Sequence, residues 1–452
     1  MTKDRIASSN DFSRRNFLQV AGLGGMALAG IPALAACAGD ATISGAAASA
    51  GAGPMLMDHL IANVAAFDST DRAFKLSAKA LQCAHTFTSH DGDMQKAFSQ
   101  ELLFPSLNVK GVHSYLVADA ALDRYTKVLA DAKIAHSNLS NRLPWFAPND
   151  PKFKGYFIGN VGGPFAEEAY IITKLLLERG GGKGQAILLG GPKGGLSETA
   201  RRFGVNLALK EFPDVKVVAN AYTDWDTTKA QTQLAALLPT YPDVKFVVAL
   251  NDGVALGALA ALNAARNTTA LVCGMDGDPA FLQRMQKEER IVATSAGLIA
   301  FSGVLAAVRL YDFLNGVKFH PLEVFIDTDS VIVDTPEAAA ELHKITGPDA
   351  PLLWDATKMS RHLQGDKWIL PHQCLVSNPT NFAWGDKPGT NPTPRPKNFS
   401  WPDPYQAALD KGDLDVVNAD WQKRFVDPYA SVRAKAKTKE GALGTFKRIG
   451  LI

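Results

Sequence analysis

From residue 54 to about 347 the chain alternates short apolar runs with stretches whose apolar positions recur at helical spacing. The runs that read as strands are Met55–His59, Ala84–Thr88, Val112–Val117, Ile134–Leu139, Gln185–Leu189, Val215–Ala219, Phe246–Leu250 and Leu271–Met275. Between them the pattern predicts helices over Phe67–Leu81, Ala121–Ala132, Phe165–Arg179, Ser197–Phe212, Thr228–Leu238 and Val254–Ala265. Strands separated by helical segments indicate βαβ units and a mainly parallel sheet with helices on both faces. In such sheets ligands sit in crevices beyond the carboxyl ends of the strands. Polar residues gather at those ends: Asp58 and His59, Ser140-Asn141-Arg142, Asn251-Asp252, and Asp276-Gly277. One polar strand end is ordinarily a turn or a helix cap. Four of them favour a cleft.

The pattern changes near residue 348. Residues 348–452 hold five of the seven tryptophans (Trp354, Trp368, Trp384, Trp401, Trp421) and a proline-rich stretch, Asn378–Pro396. So many aromatics argue against disorder and so many prolines against a regular domain. The expectation is an irregular C-terminal extension packed on the rest by its tryptophans. Exposed carbohydrate-binding platforms are the functional alternative, and the basic end, Arg433–Lys447, reads as a solvated helix.

Charge and composition remove several function classes. Basic and acidic residues nearly cancel, 47 against 45, so nothing points to nucleic acid. Of the four cysteines, Cys83, Cys273 and Cys374 lack CxxC or paired-histidine spacing, so neither a metal nor a cofactor is expected. The Asp91/Asp93 and His85/His90 cluster reads as a polar loop. No G-x-S-x-G elbow or H-E-x-x-H occurs, and Gly190–Gly195 lacks the Lys-Ser/Thr of a Walker A loop. A carbohydrate-active enzyme is the weaker alternative on these grounds.

The fourth cysteine belongs to the N-terminus. Ser13-Arg14-Arg15-Asn16-Phe17-Leu18 resembles the twin-arginine export motif, and a weakly apolar, glycine-rich run follows it to Ala36. The run ends in Leu34-Ala35-Ala36-Cys37, which resembles a lipobox. Residues 1–36 are therefore read as a lipoprotein signal, Cys37 as the lipidation site, and 37–53 as a flexible tether of small residues. An ordinary cleaved signal with an incidental cysteine is the plainer reading. The expected location is the periplasm or cell envelope, with the membrane reached through the lipid anchor.

The order of pieces over 54–347 resembles the type I periplasmic binding proteins, specifically the ribose-binding-like sugar receptors of ABC transporters. Carrying the likeness are Tyr241-Pro242-Asp243-Val244, Asn251-Asp252-Gly253-Val254-Ala255-Leu256-Gly257-Ala258, Gly274-Met275-Asp276-Gly277-Asp278-Pro279 and Ile291-Val292-Ala293-Thr294, with Asp91-Gly92-Asp93-Met94-Gln95 upstream. The resemblance implies an α/β fold of two Rossmann-like lobes with parallel sheets, joined by a three-crossover hinge. It implies an N-terminal lobe of 54–161 and 298–325 and a C-terminal lobe of 162–297 and 326–347. It also implies a monomer that hands its ligand to an ABC permease. A ligand-sensing lipoprotein serving a signalling receptor would share every motif. Repressors share the fold too, but begin with a DNA-binding helix pair where this chain has the leader.

The resemblance also implies site residues. Its arginine in R-x-x-G falls on Arg201, its aromatic between two aspartates on Trp225, and its N-D-x-x-A-L-G asparagine on Asn251. The aspartate of G-x-D-G is Asp276, and the Asp-Arg pair at a strand end appears as Asn141-Arg142. An asparagine near the first strand maps to Asp58, His59 or Asn63, and a stacking aromatic to Phe67. Gly297 stands where the family carries glutamine, so D-ribose itself is not implied. These residue types suit a sugar or polyol, whose C–H faces stack on flat aromatics while its hydroxyls meet carboxylates, amides and guanidinium forks. Each also has a structural reading: Trp225 as core, Arg201 as a solvated helix residue, Asn251 as a cap.

Overall fold

A computed structural model describes residues 53–61, 64–140, 142, 146–378, 397 and 400–450. The leader, Cys37, most of the tether, Asn63, Asn141 and Trp384 lie outside the described residues. Among the described residues no helix is long and apolar enough to cross a membrane, and no cluster of His, Cys, Asp or Glu could hold a metal ion.

The first lobe begins with five parallel strands: β1 (Met55–His59), β2 (His85–Ser89), β3 (Gly111–Ser114), β4 (Ala135–Leu139) and β5 (Phe157–Gly162). Between them lie α1 (Ala65–Ala80), α2 (Met94–Glu101) and α3 (Leu122–Asp131). The chain then builds the second lobe as a continuous run. It consists of α4 (Phe165–Arg179), β6 (Gly184–Gly190), α5 (Leu196–Lys210), β7 (Val215–Tyr222), α6 (Thr227–Leu237), β8 (Val244–Ala249), α7 (Asp252–Ala264), β9 (Leu271–Cys273), α8 (Pro279–Met285) and β10 (Thr294–Ala296). It returns to the first lobe through α9 (Leu298–Leu314) and β11 (Phe325–Thr328), and finishes in the second with β12 (Val331–Val333) and α10 (Pro336–Thr346).

The first lobe's sheet has the order β13-β11-β5-β4-β3-β1-β2, where β13 is Cys374–Val376, and the second's is β7-β6-β8-β9, with β10 and β12 forming a small antiparallel pair. The central strands are apolar on both faces, as a sheet covered by helices requires. Ala186, Ile187, Leu188 and Leu189 of β6, and Phe246, Val247 and Val248 of β8, are all almost wholly inaccessible. Ahead of the extension, three chain crossings join the lobes: β5 to α4, β10 to α9, and β11 to β12. The last differs from the expected boundary at 325/326. Phe325–Asp327 pairs in parallel with β5 and Thr328 still pairs with Cys374, so the chain leaves the first lobe only after Thr328.

The extension is less irregular than its prolines suggest. Its strand β13 (Cys374–Val376) pairs antiparallel with β11 and extends the first lobe's sheet. Short helices follow at Tyr405–Asp410, Asp413–Lys423 and Ala430–Lys435. Trp354, Trp368, Trp401 and Trp421 are all buried, which overturns the platform reading for those four. The basic end is not a solvated helix either. Phe446 is buried against Tyr170 and Phe203, 5.9 and 6.2 Å between ring centres.

Candidate functional site

The carboxyl ends of both sheets face one narrow cavity. From the first lobe come Val64, Phe67, Tyr115 just past β3, Ser140 just past β4, and Ile299 at the start of α9. From the second come Phe165, Ser197 and Arg201, with Trp225, Asn251 and Asp276 just past β7, β8 and β9. The walls are largely aromatic. Phe67 meets Tyr115 edge to face at 5.4 Å, and the Arg201 guanidinium lies 5.3 Å from the Phe165 ring centre and 5.7 Å from that of Trp225.

Arg201 organises the polar side. It donates from Nη2 to Asp276 Oδ1 at 2.5 Å, from Nε and Nη2 to Glu168 Oε1 at 3.0 and 2.8 Å, and from Nη1 to the Leu250 carbonyl at 2.7 Å. Glu168 accepts from Ser295 Oγ at 2.9 Å through its other oxygen. Burial works against the charge on Arg201, yet Asp276 and then Glu168 raise its pKa above the ordinary arginine value. Burial likewise pushes the Asp276 carboxyl up to about 6, with Arg201 opposing the rise. Asn251 spends its side-chain oxygen on the N-terminus of α7, accepting from Val254 N at 2.7 Å, so its amide NH₂ is what it offers the cavity.

Backbone strain collects at this site. Asp224, Trp225 and Asp276 hold φ of 54°, 63° and 109°, a region that costs side-chain-bearing residues on the order of 1–3 kcal/mol each. The Trp225 ring lies so close to Gly191 that a Cβ there would sit 2.2 Å from it. Trp225 is only 5% exposed, so it is part of the core and wall of the cavity at once. The lobes also touch across the cavity, where Tyr115 Oη and Ser197 Oγ are 3.1 Å apart.

The sequence expectations divide clearly. Asp276, Asn251, Trp225, Arg201 and Phe67 come together around the cavity. Three others do not line it. Asp58 is buried beside α3, accepting from Tyr125 Oη at 2.6 Å. His59 Nε2 lies 2.6 Å from Asp71 Oδ1, and the ring stacks on Phe87. Arg142 turns toward the hinge, pairing with Asp327 at 2.7 Å and reaching Asn160. Tyr115, Ser197, Phe165, Ile299 and the supporting Glu168 were not foreseen. Tyr115 follows the same strand-end rule as Asn251 and was legible; an acidic residue in a helix's first turn, like Glu168, reads only as a partner for the helix dipole.

The arrangement resists an anion, because Arg201 is already balanced by two carboxylates. It suits a neutral molecule with an apolar face and several hydroxyls.

Comparison with known proteins fits this geometry. The family model of the periplasmic binding protein domain matches residues 67–315, over half of the chain. A xylitol-binding protein of Mycolicibacterium smegmatis is 28% identical over 271 residues, covering 59% of this chain and 75% of the relative. A D-apiose import binding protein of Actinobacillus succinogenes is 28% identical over 204 residues, 45% of this chain and 63% of the relative. Among solved structures, a twin-arginine translocation pathway signal protein from Burkholderia phytofirmans superposes with a TM-score of 0.61 at 18% identity, over 67% of this chain and 95% of its own.

Proposed function

Since the chain belongs to the periplasmic binding protein domain family, in its ribose-binding-like sugar-transport branch, we propose that it captures a neutral sugar or polyol between its lobes and delivers it to an ABC importer. It is a binding protein and not an enzyme. The observation that carries the ligand class is the convergence of Phe67, Phe165 and Trp225 with Asp276, Asn251 and Arg201 at facing strand ends. Relatives named for xylitol and D-apiose binding support a small polyhydroxylated ligand. A thermal-shift screen of pentoses, hexoses and polyols tests it. A true ligand at a hundred times its dissociation constant stabilises the native state by about 2.7 kcal/mol. No shift with any neutral polyol, alongside a shift with organic anions or amines, would sink the reading.

We further propose twin-arginine export and a lipid anchor on Cys37, with the protein acting as a monomer in the periplasm. Support comes from Arg14-Arg15, the Leu34–Cys37 tetrapeptide and the small-residue tether. In fractionated cells Cys37→Ala is expected to move the protein from the membrane to the soluble fraction. Unchanged membrane recovery would rule the anchor out.

A further inference from the structure

The family fold accounts for two lobes and three crossings, and leaves the C-terminal extension without a task. Its contacts divide at one point of the chain. Before that point it is moored to the first lobe. There β13 extends the sheet, Arg361 forks onto Glu323 at 2.8 and 3.0 Å, and Ser360 and Trp421 bond Asp312 and Glu323. After that point it is moored to the second lobe. Lys437 N, Thr438 N and Thr438 Oγ1 all donate to Asp334 at 2.7–2.9 Å, and Thr335 Oγ1 donates to the Lys435 carbonyl at 2.9 Å. Gly444 N and Phe446 N donate to Glu167, in the first turn of α4, at 3.1 and 2.9 Å.

Both parts of the extension also lie on the crossings themselves. Asp329, midway between β11 and β12, accepts from Leu443 N at 2.8 Å and Arg433 Nη2 at 3.2 Å. Its own carbonyl meets His372 Nε2 at 2.9 Å, and Ala442 N donates to the Ser330 carbonyl. At the β10 to α9 crossing, Gly297 has φ of 115°, and a Cβ there would sit 2.7 Å from His372 Cε1 and 3.2 Å from Tyr429 Oη. The crossing is shaped to the extension's side chains, and a larger residue would be expelled by them.

We propose that the extension, which leaves α10 of the second lobe, moors on the first and returns to the second, is a covalently continuous strap over the hinge that limits opening and keeps most of the ligand-free protein closed. This inference rests on the two-lobed binding reading and concerns regulation of the same site. When two lobes rotate apart, residues moored to one must separate from residues moored to the other, and the strap spans that gap near Val426–Tyr429. A closed resting state raises affinity, because the competent conformation is already populated, and it slows release.

The test uses the mature full-length chain without ligand. Nitroxide labels go on Ala120→Cys and Lys193→Cys, exposed positions on opposite rims of the cleft. Electron–electron distance measurement is expected to give one short distance for the parent protein. Glu167→Gln with Asp334→Asn releases the second-lobe moorings, and neither residue lines the cavity. A second variant inserts about six Gly/Ser residues between Val426 and Asp427, which lengthens the strap and leaves both moorings intact. Both are expected to raise the ratio of long to short distances on the order of tenfold, the scale of one lost charge-assisted hydrogen bond. An insertion variant that stays folded by circular dichroism with an unchanged distribution overturns the strap, as does a parent protein that is already mostly open. If the double variant fails to fold, the insertion decides alone. Because no ligand enters the experiment, an empty thermal-shift screen would refute the ligand class and leave this result untouched.

Discussion

Asp276→Asn is expected to weaken ligand binding by ten- to a hundredfold while leaving the fold intact. The substitution keeps the shape and removes the charge, so a charge-assisted acceptor worth about 1.5–3 kcal/mol becomes a neutral one. At about 1.4 kcal/mol per decade this gives the stated range. The fold survives because Arg201 keeps Glu168 and the Leu250 carbonyl. The wild type should also carry a pH signature that the variant lacks. Asp276 titrates near 6 in the ligand-free cleft, pushed up by burial. Hydroxyl donation from a ligand favours the ionised form, so affinity is highest above that pH and falls by up to about tenfold per unit below it. Calorimetric titration at pH 7.5 and pH 5 reads both effects. Equal affinities of wild type and variant at pH 7.5 would remove Asp276 from the site.

Arg201→Leu should be the most damaging single change. It leaves Asp276 and Glu168, both almost wholly buried, without their shared cation. Removing one partner from a buried ionic network costs about 3–5 kcal/mol. The sign of its pH dependence separates charge from packing. Without Arg201, the Asp276 carboxyl rises further above its unfolded-state value, so the native state holds a proton that the unfolded chain has released. Stability then falls as pH rises through the interval between those two values. Urea unfolding should show the variant's deficit larger at pH 8 than at pH 5. An equal deficit at both would mean that the loss comes from shape alone.

How much of this was legible in the sequence depended on whether a feature was local. Strands such as β1, β6 and β8 announce themselves as apolar runs, and their helices by periodicity. β5 did not, because Phe157–Gly162 interrupts its apolar residues with Gly159 and Asn160. β12 and β13 are three residues each and exist only through distant partners. The strand-end rule located the cleft through Ser140, Asn251 and Asp276, and the family resemblance added Phe67, Arg201 and Trp225, but neither says which way each side chain turns. Asp58 and His59, neighbours at the end of β1, alternate to opposite faces of the sheet and meet helices on both. Arg142 sits at a strand end too, yet its length carries it to Asp327, which a linear reading places 185 residues away.

The interleaved connectivity has a consequence for how the molecule is made. The second lobe's four-stranded sheet is complete in the chain by Cys273, whereas the first lobe's sheet lacks β11 until Thr328 and β13 until Val376. On a ribosome moving from the N-terminus, the later half of the cleft therefore completes its main sheet first. The earlier half must wait, with the β5 edge uncovered, for residues that emerge more than 160 positions after it. Unpaired edges of this kind are where growing chains associate wrongly. Pulsed hydrogen exchange during refolding should find amides of β6 and β8 protected before those of β4 and β5. The reverse order would mean that the first lobe closes its core without waiting for the strand that completes it.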